Sequence, residues 1–121
     1  MSFRTHLEQI CSTVTGSVAC SVMGFDGIAI DTHQVQEPQL DLQAMLIEYG
    51  AILTKLKDAA EVLQAGGVSE VSINTEKLIT IARLLTPEYF LVLAMTPDGN
   101  YGKGRYALRI AAPKVKAELE Q

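Results

Sequence analysis

The segment from Ser17 to Asp31 constrains the fold of this chain more than any other, because it reads as two β-strands closed by a tight turn. Asp26-Gly27 supplies the positive backbone angles that hairpin turns demand. Polar and apolar residues alternate in the first arm and place Val18, Cys20 and Val22 on one face, so strands are expected near 17–24 and 28–32. The tip breaks the usual pattern of polar loops. Phe25 stands beside the turn and Ile28 follows it directly. An aromatic ring, the Asp26 carboxylate and a branched aliphatic side chain displayed together read as a docking surface. The plainer alternative is that Phe25 folds back over its own core while Asp26 only makes the turn. Alternation alone does not decide between the two.

Helical spacing surrounds this hairpin. Ser2 is a candidate N-cap for a first helix, with Phe3, Leu7, Ile10 and Val14 on one side and Gly16 as its stop. After a polar loop, His33 to Gln39, Asp41 caps the longest helix, which is expected to reach about Ala65 and to end at Gly66-Gly67. At 1.5 Å per residue it spans roughly 37 Å. Leu42, Met45, Leu46, Tyr49, Ile52, Leu53, Leu56, Ala59, Ala60 and Leu63 form a wide apolar stripe along it. Such a stripe can cover a sheet, and its edge can also meet a second copy of the helix.

Three short strands follow, about Val68–Asn74, Leu78–Leu84 and Phe90–Met95, then the loop Thr96-Pro97-Asp98-Gly99-Asn100. A last helix, about Tyr101–Glu118, carries Leu108, Ala111, Ala112, Val115 and Leu119 on one side, with Pro113 expected to kink it or end its first half. The order is α-β-β-α-β-β-β-α. The expected architecture is layered α+β: a five-stranded antiparallel sheet, the long helix on one face and the terminal helices on the other. The strand Val68–Asn74 has neither Pro nor Lys to discourage edge pairing. Pairing with the same strand of a second subunit would satisfy it. The expected homodimer interface is therefore Val68, Glu70, Val71, Ser72 and Ile73 of that strand with Tyr49 and Leu56 of the long helix.

The chain of 121 residues is expected to form one domain, 1–121. With 48% hydrophobic and 20% charged residues it belongs among soluble globular proteins. Its net charge of -4 excludes a nucleic-acid footprint, which needs a basic excess. Lys103, Arg105, Arg109, Lys114 and Lys116 make one basic stretch, either a solvated helix face or a contact for an acidic partner. Cys11 and Cys20 lack metal-ligand spacing and read as buried free thiols. Neither a signal peptide nor a membrane-spanning apolar run is visible, so the expected location is the cytoplasm, without membrane insertion.

Catalytic constellations are missing from the pattern. His6 and His33 read as surface histidines without a triad or ligand set, and there is no metal or cofactor motif. The Gly99 to Arg105 run has Gly104-Arg105 where a phosphate loop needs Gly-Lys followed by a hydroxyl, so it reads as a flexible lead-in to the last helix.

In order and kind, these elements resemble the roadblock family of dynein light chains along essentially the whole chain. The hairpin from Met23 to Asp31, the long second helix and the Asp98-Gly99-Asn100 loop carry the likeness. Within that family the opening Met1-Ser2-Phe3-Arg4-Thr5-His6-Leu7 and the run Asn100 to Tyr106 are most similar to the bacterial MglC type. That type belongs to a polarity and motility machinery built around the small Ras-like GTPase MglA and its roadblock partner MglB. The resemblance implies strand order 2-1-5-4-3, dimers with a continuous sheet, and a scaffold or regulator of small GTPases. It implies as partners a second copy and another, MglB-like, roadblock protein, with indirect contact to an MglA-like GTPase. Family members that stimulate a GTPase position that GTPase's own residues, so no catalytic residue carries over.

The expected function is accordingly a non-enzymatic adaptor that docks its partner through Phe25, Asp26 and Ile28, needing no cofactor. Aromatic residues dominate interface hot spots, which makes Phe25 the expected anchor. Two alternatives stand beside it: direct regulation of a small GTPase through the long-helix face, and a small-ligand sensor with an apolar cavity.

Overall fold

In the computed structural model, which describes residues 3–38 and 40–121, eight elements follow one another. They are α1 (Phe3–Thr13), β1 (Ser17–Gly24), β2 (Ala29–Gln34), α2 (Leu42–Val62), β3 (Glu70–Asn74), β4 (Ile79–Leu84), β5 (Tyr89–Met95) and α3 (Tyr101–Leu119). Ser2, the expected first cap, and Gln39, the expected end of the polar loop, lie outside the described residues. The strands form one antiparallel sheet in the order β2-β1-β5-β4-β3, so β2 and β3 are its two edges.

Both faces of the sheet are apolar, and each is covered. On one face Leu7 and Ile10 of α1, Val14 just after it, and Leu108 and Val115 of α3 pack with Cys20, Val22, Ile81, Leu91 and Leu93. On the other, Met45, Leu46 and Leu53 of α2 pack with Met23, Phe90 and Val92. Val18 joins this second cluster and not Cys20 and Val22, contrary to simple alternation. The β1–β5 register shifts between Ser17 and Ala19, and such an irregularity resets which side a residue faces.

Local chemistry explains most boundaries. Asp41 caps α2 by accepting the Ala44 N–H at 3.1 Å, and Asn100 caps α3 by accepting the Lys103 N–H at 3.1 Å. Residues 101–105 are therefore the first turn of a helix and not a flexible lead-in. Gly104 is buried there because α3 lies close on the sheet: a Cβ would stand 3.1 Å from Ile81 Cδ1 and 3.2 Å from Met95 Sδ. α3 continues through Pro113 as one helix, with the proline on its exposed side.

The stop of α2 differs from expectation. Its helix ends at Val62, before Gly66-Gly67, in a Schellman arrangement: the Ala65 N–H donates to Ala60 O (2.9 Å) and the Gln64 N–H to Glu61 O (3.0 Å). The left-handed position falls on Gln64 (φ 56°), the one non-glycine residue with positive φ among the described residues. His6 also departs from the surface position expected of it. It is buried where α3 crosses α1, with Nε2 3.8 Å from Glu118 Oε1, while His33 is half-buried on β2. Cys11 and Cys20 are free, buried and adjacent. A hydrogen bond between the thiols pulls Cys11 below the ordinary thiol range, and burial pushes Cys20 well above it.

A left-handed non-glycine residue costs about 1–2 kcal/mol, partly offset by the chain entropy a glycine brings. Gln64→Gly is expected to stabilise the protein by about 0.5–1 kcal/mol, raising the thermal midpoint by roughly 2–4 °C in a calorimetric scan.

Candidate docking surfaces

Two surfaces gather the residues singled out in the sequence. The first is the β1–β2 tip. Gly24 N–H donates to Ile28 O (2.9 Å) and Gly27 N–H to Gly24 O (3.0 Å), with Gly27 at φ 91°. This is a three-residue loop, a turn over Phe25-Asp26 followed by one left-handed glycine, and not the two-residue turn that Asp26-Gly27 implied. Asp26 does not adopt the positive φ that a two-residue Asp-Gly turn demands of it. Its Oδ1 instead accepts the Ile28 N–H at 3.0 Å. β2 consequently starts at Ala29, and Ile28 is left at the tip, 68% exposed.

Phe25 is half-buried and turned inward. Its ring lies 4.9 Å from that of Phe90, tilted by 42°, and Lys57 Nζ stands 3.9 Å from the ring centre. Its N–H donates to Glu88 O (3.0 Å), and Lys57 also donates to Pro87 O (3.0 Å). The ring is thus pinned between α2 and the β4–β5 turn, while Asp26 and Ile28 face outward. Ile47 of α2, half-exposed, flanks the turn: a Cβ on Gly27 would touch it at 3.6 Å. Sequence reasoning missed Ile47 and Lys57 here, since nothing local ties α2 to the hairpin.

The second surface is the β3 edge with the neighbouring side of α2. β3 pairs with β4 alone, from Glu70↔Arg83 to Asn74↔Ile79. Val71 faces α2, whereas Ser72 faces α3 and its Oγ lies 3.0 Å from Tyr101 Oη. Glu70 Oε2 accepts from Arg105 Nε (2.8 Å) and Nη2 (2.7 Å), and Arg83 Nη1 stands 3.5 Å from Oε1. The carboxylate pushes the Arg105 guanidinium further up its ordinary range. Ile73 is half-buried on the strand, and Val68 falls before it, in a cleft beside Lys57, Glu61 and Leu84.

Ile52 and Leu56 of α2 and its C-cap Leu63 lie 7, 11 and 18 positions after Met45, close to whole turns, and so share its side of the helix. Met45 is the residue whose sulfur meets Thr80 of β4, while Ile47 points the other way, to the hairpin. The stripe therefore leans toward the β3 edge. Met45 is buried and Tyr49 half-buried, but Ile52 (44% exposed), Leu56 (40%) and Leu63 remain open. Among the described residues no helix is long and apolar enough to cross a membrane, and no three His, Cys, Asp or Glu side chains are grouped to hold a metal ion.

No family model and no curated protein sequence matches the chain; its likenesses are to solved structures. MglC from Myxococcus xanthus is 60% identical over 98% of this chain and 99% of its own, with a TM-score of 0.71. This chain belongs to the roadblock family. Within the family it is of the MglC type. A roadblock/LC7 domain from Streptomyces avermitilis superposes with a TM-score of 0.85 over 100% of both chains at 11% identity. Myxococcus xanthus MglB does so at 0.81 over 99% of this chain and 98% of its own, at 10% identity. At such identities the shared property is the roadblock fold itself, and the strand order β2-β1-β5-β4-β3 is that fold.

In this roadblock chain Phe25 closes one end of the α2-side core. Phe25→Ala is expected to lower stability by about 2 kcal/mol, read by denaturant titration, whereas Ile28→Ala changes it by less than about 0.5 kcal/mol.

Proposed function

We propose that this chain is a non-enzymatic, dimeric cytoplasmic adaptor in a polarity and motility system built on a small Ras-like GTPase. Its β1–β2 tip docks another roadblock protein of the MglB kind, and contact with the MglA-like GTPase is indirect. The observation that carries this reading is the tip itself. Ile28 stands 68% exposed beside the outward-facing Asp26, on a loop that Phe25 ties to Phe90 and Lys57. A large aliphatic side chain held out on a braced turn offers a partner an apolar contact at little ordering cost. Asp26 orients the partner, and Phe25 acts from behind as the support of the loop. The 60% likeness to MglC over almost the full length supports placing the chain in an Mgl system.

Homodimerisation completes the proposal. The dimer surface of this reading is the β3 edge, with Glu70, Val71, Ser72 and Ile73, together with the open stripe of Ile52 and Leu56 beside Tyr49; the unpaired edge and the exposure of that stripe support it. Two-fold pairing there joins two sheets and covers both stripes. Val68 lies at its margin. A second reading, direct contact of α2 with the GTPase, draws on the same open stripe. It requires that stripe to be free in the dimer.

The tip is tested by pull-down with a purified MglB-type roadblock protein. Ile28→Ala combined with Asp26→Lys is expected to weaken capture at least ten-fold, a loss of about 1.4 kcal/mol or more, with the homodimer's elution volume unchanged. Capture at wild-type strength removes the tip from the interface. For the dimer, Ile52→Glu with Leu56→Glu is expected to give a monomer in sedimentation with its helical circular dichroism retained; a persisting dimer rejects the α2–β3 surface. Accelerated phosphate release from the GTPase on adding this protein alone would favour the second reading.

A further inference from the structure

The basic stretch of α3 touches the second surface only through Arg105, which holds Glu70, and the rest of it is absorbed by neither surface. It divides into two groups in space. Lys103 and Lys114 border a groove against α1, whereas Arg105 and Arg109, one helical turn apart, point to the β3–β4 edge, where Arg83 of β4 joins them. The three guanidiniums line a cleft of about 370 Å³ together with Glu70, Gly102 and Tyr106. One carboxylate against three arginines leaves a local charge of +2 on a chain whose net charge is -4.

Glu70 shows what the cleft does with a carboxylate. Arg105 grips one of its oxygens with two nitrogens, at 2.8 and 2.7 Å, while Arg83 approaches the other at 3.5 Å. Glu70 itself is largely covered, but the Arg105 side chain is 51% exposed, so part of its fork still faces solvent. Arg109 rests 5.4 Å from the Tyr106 ring centre and is paired with no carboxylate among the described residues. Gly102 keeps one end of the cleft open, since a Cβ there would meet only Asn100 Oδ1 at 4.0 Å.

We propose that Arg83, Arg105 and Arg109 form a carboxylate cradle that docks an acidic peptide segment of a protein partner, with Glu70 as its internal occupant. Planar guanidiniums take carboxylates in forked, charge-assisted bonds, and Arg109 with the open half of Arg105 offers a second such seat. The chain's overall negative charge disfavours an extended polyanion such as nucleic acid or an anionic membrane, whereas a short acidic segment needs only the local field. The cradle sits at the edge opposite β2 and does not depend on the tip's role; it shares Glu70 with the proposed dimer edge but opens on the α3 side of the sheet, the face away from the α2 stripe.

The test is a titration of hexaglutamate peptide into the isotope-labelled protein, followed by amide chemical shifts, beside a titration with inorganic phosphate. Shifts confined to Glu70, Arg83 and residues 102–109, weakening as salt rises, are expected. Arg109→Gln is expected to weaken binding about three-fold and Arg109→Glu about ten-fold. Glu70→Gln, which keeps the side-chain shape but releases both arginines, tightens it several-fold. Ile28→Ala leaves it unchanged. Absence of shifts at low salt, shifts spread equally over Lys55, Lys57 and Lys116, or indifference to Glu70→Gln overturns the cradle. Phosphate competing better than the peptide overturns the acidic-peptide assignment, as does an effect of Arg109→Glu on self-association alone.

Discussion

β1 is buried at all eight of its positions and β5 at six of seven, so the middle of the sheet has no face that water can solvate. Everything else in the fold answers that requirement. Two separate layers of helix are needed, and the chain supplies them from its middle and from its two ends. α1 and α3 share one face, which is why His6 disappears between them and why Gly104 must be bare where α3 meets the sheet. α2 covers the other face with Met45, Leu46, Gly50 and Leu53, all in its first dozen residues. The rest of that helix is longer than the sheet beneath it requires. Its apolar side chains are therefore available for another surface, on the side of the helix that leans toward the β3 edge.

Most of this was legible because it is written in local periodicity. The alternation of Val68–Asn74, the caps Asp41 and Asn100, and the stripe of α2 each reflect forces between near neighbours in sequence. The departures share a different origin. Val18 changes sides because of a register shift fixed by β5. Gln64 takes the left-handed position although two glycines follow it, since the helix ends where its last turn closes on Ala60 and Glu61. Phe25 turns inward because Phe90 and Lys57, far along the chain, make a slot for its ring. Side-chain direction at a hairpin tip is decided by what waits beneath it, and no window of sequence around the turn contains that information.

The surfaces left over differ in chemistry as much as in place. At one end of the sheet an aliphatic side chain and a carboxylate stand on a turn. Along the opposite edge are unpaired backbone groups, aliphatic side chains of α2 and a fan of arginines on the α3 side. The described residues thus present several unlike faces on one small protein. Its membership of the roadblock family, in which MglC and MglB share one fold, accords with that arrangement.

The inward turn of Phe25 has a kinetic consequence for anything that meets the tip. Because the loop is already held by a ring contact, a cation over that ring and three backbone bonds, contact at the tip calls for no prior ordering of the loop. Encounter then proceeds as between rigid bodies, limited by orientation and not by a search through loop conformations. Changes to the exposed side chains accordingly register in how long a complex lasts, while loosening the ring from behind slows its formation. For a partner that docks there, residence time would be set on the outside of the turn, and arrival rate by the aromatic pair underneath.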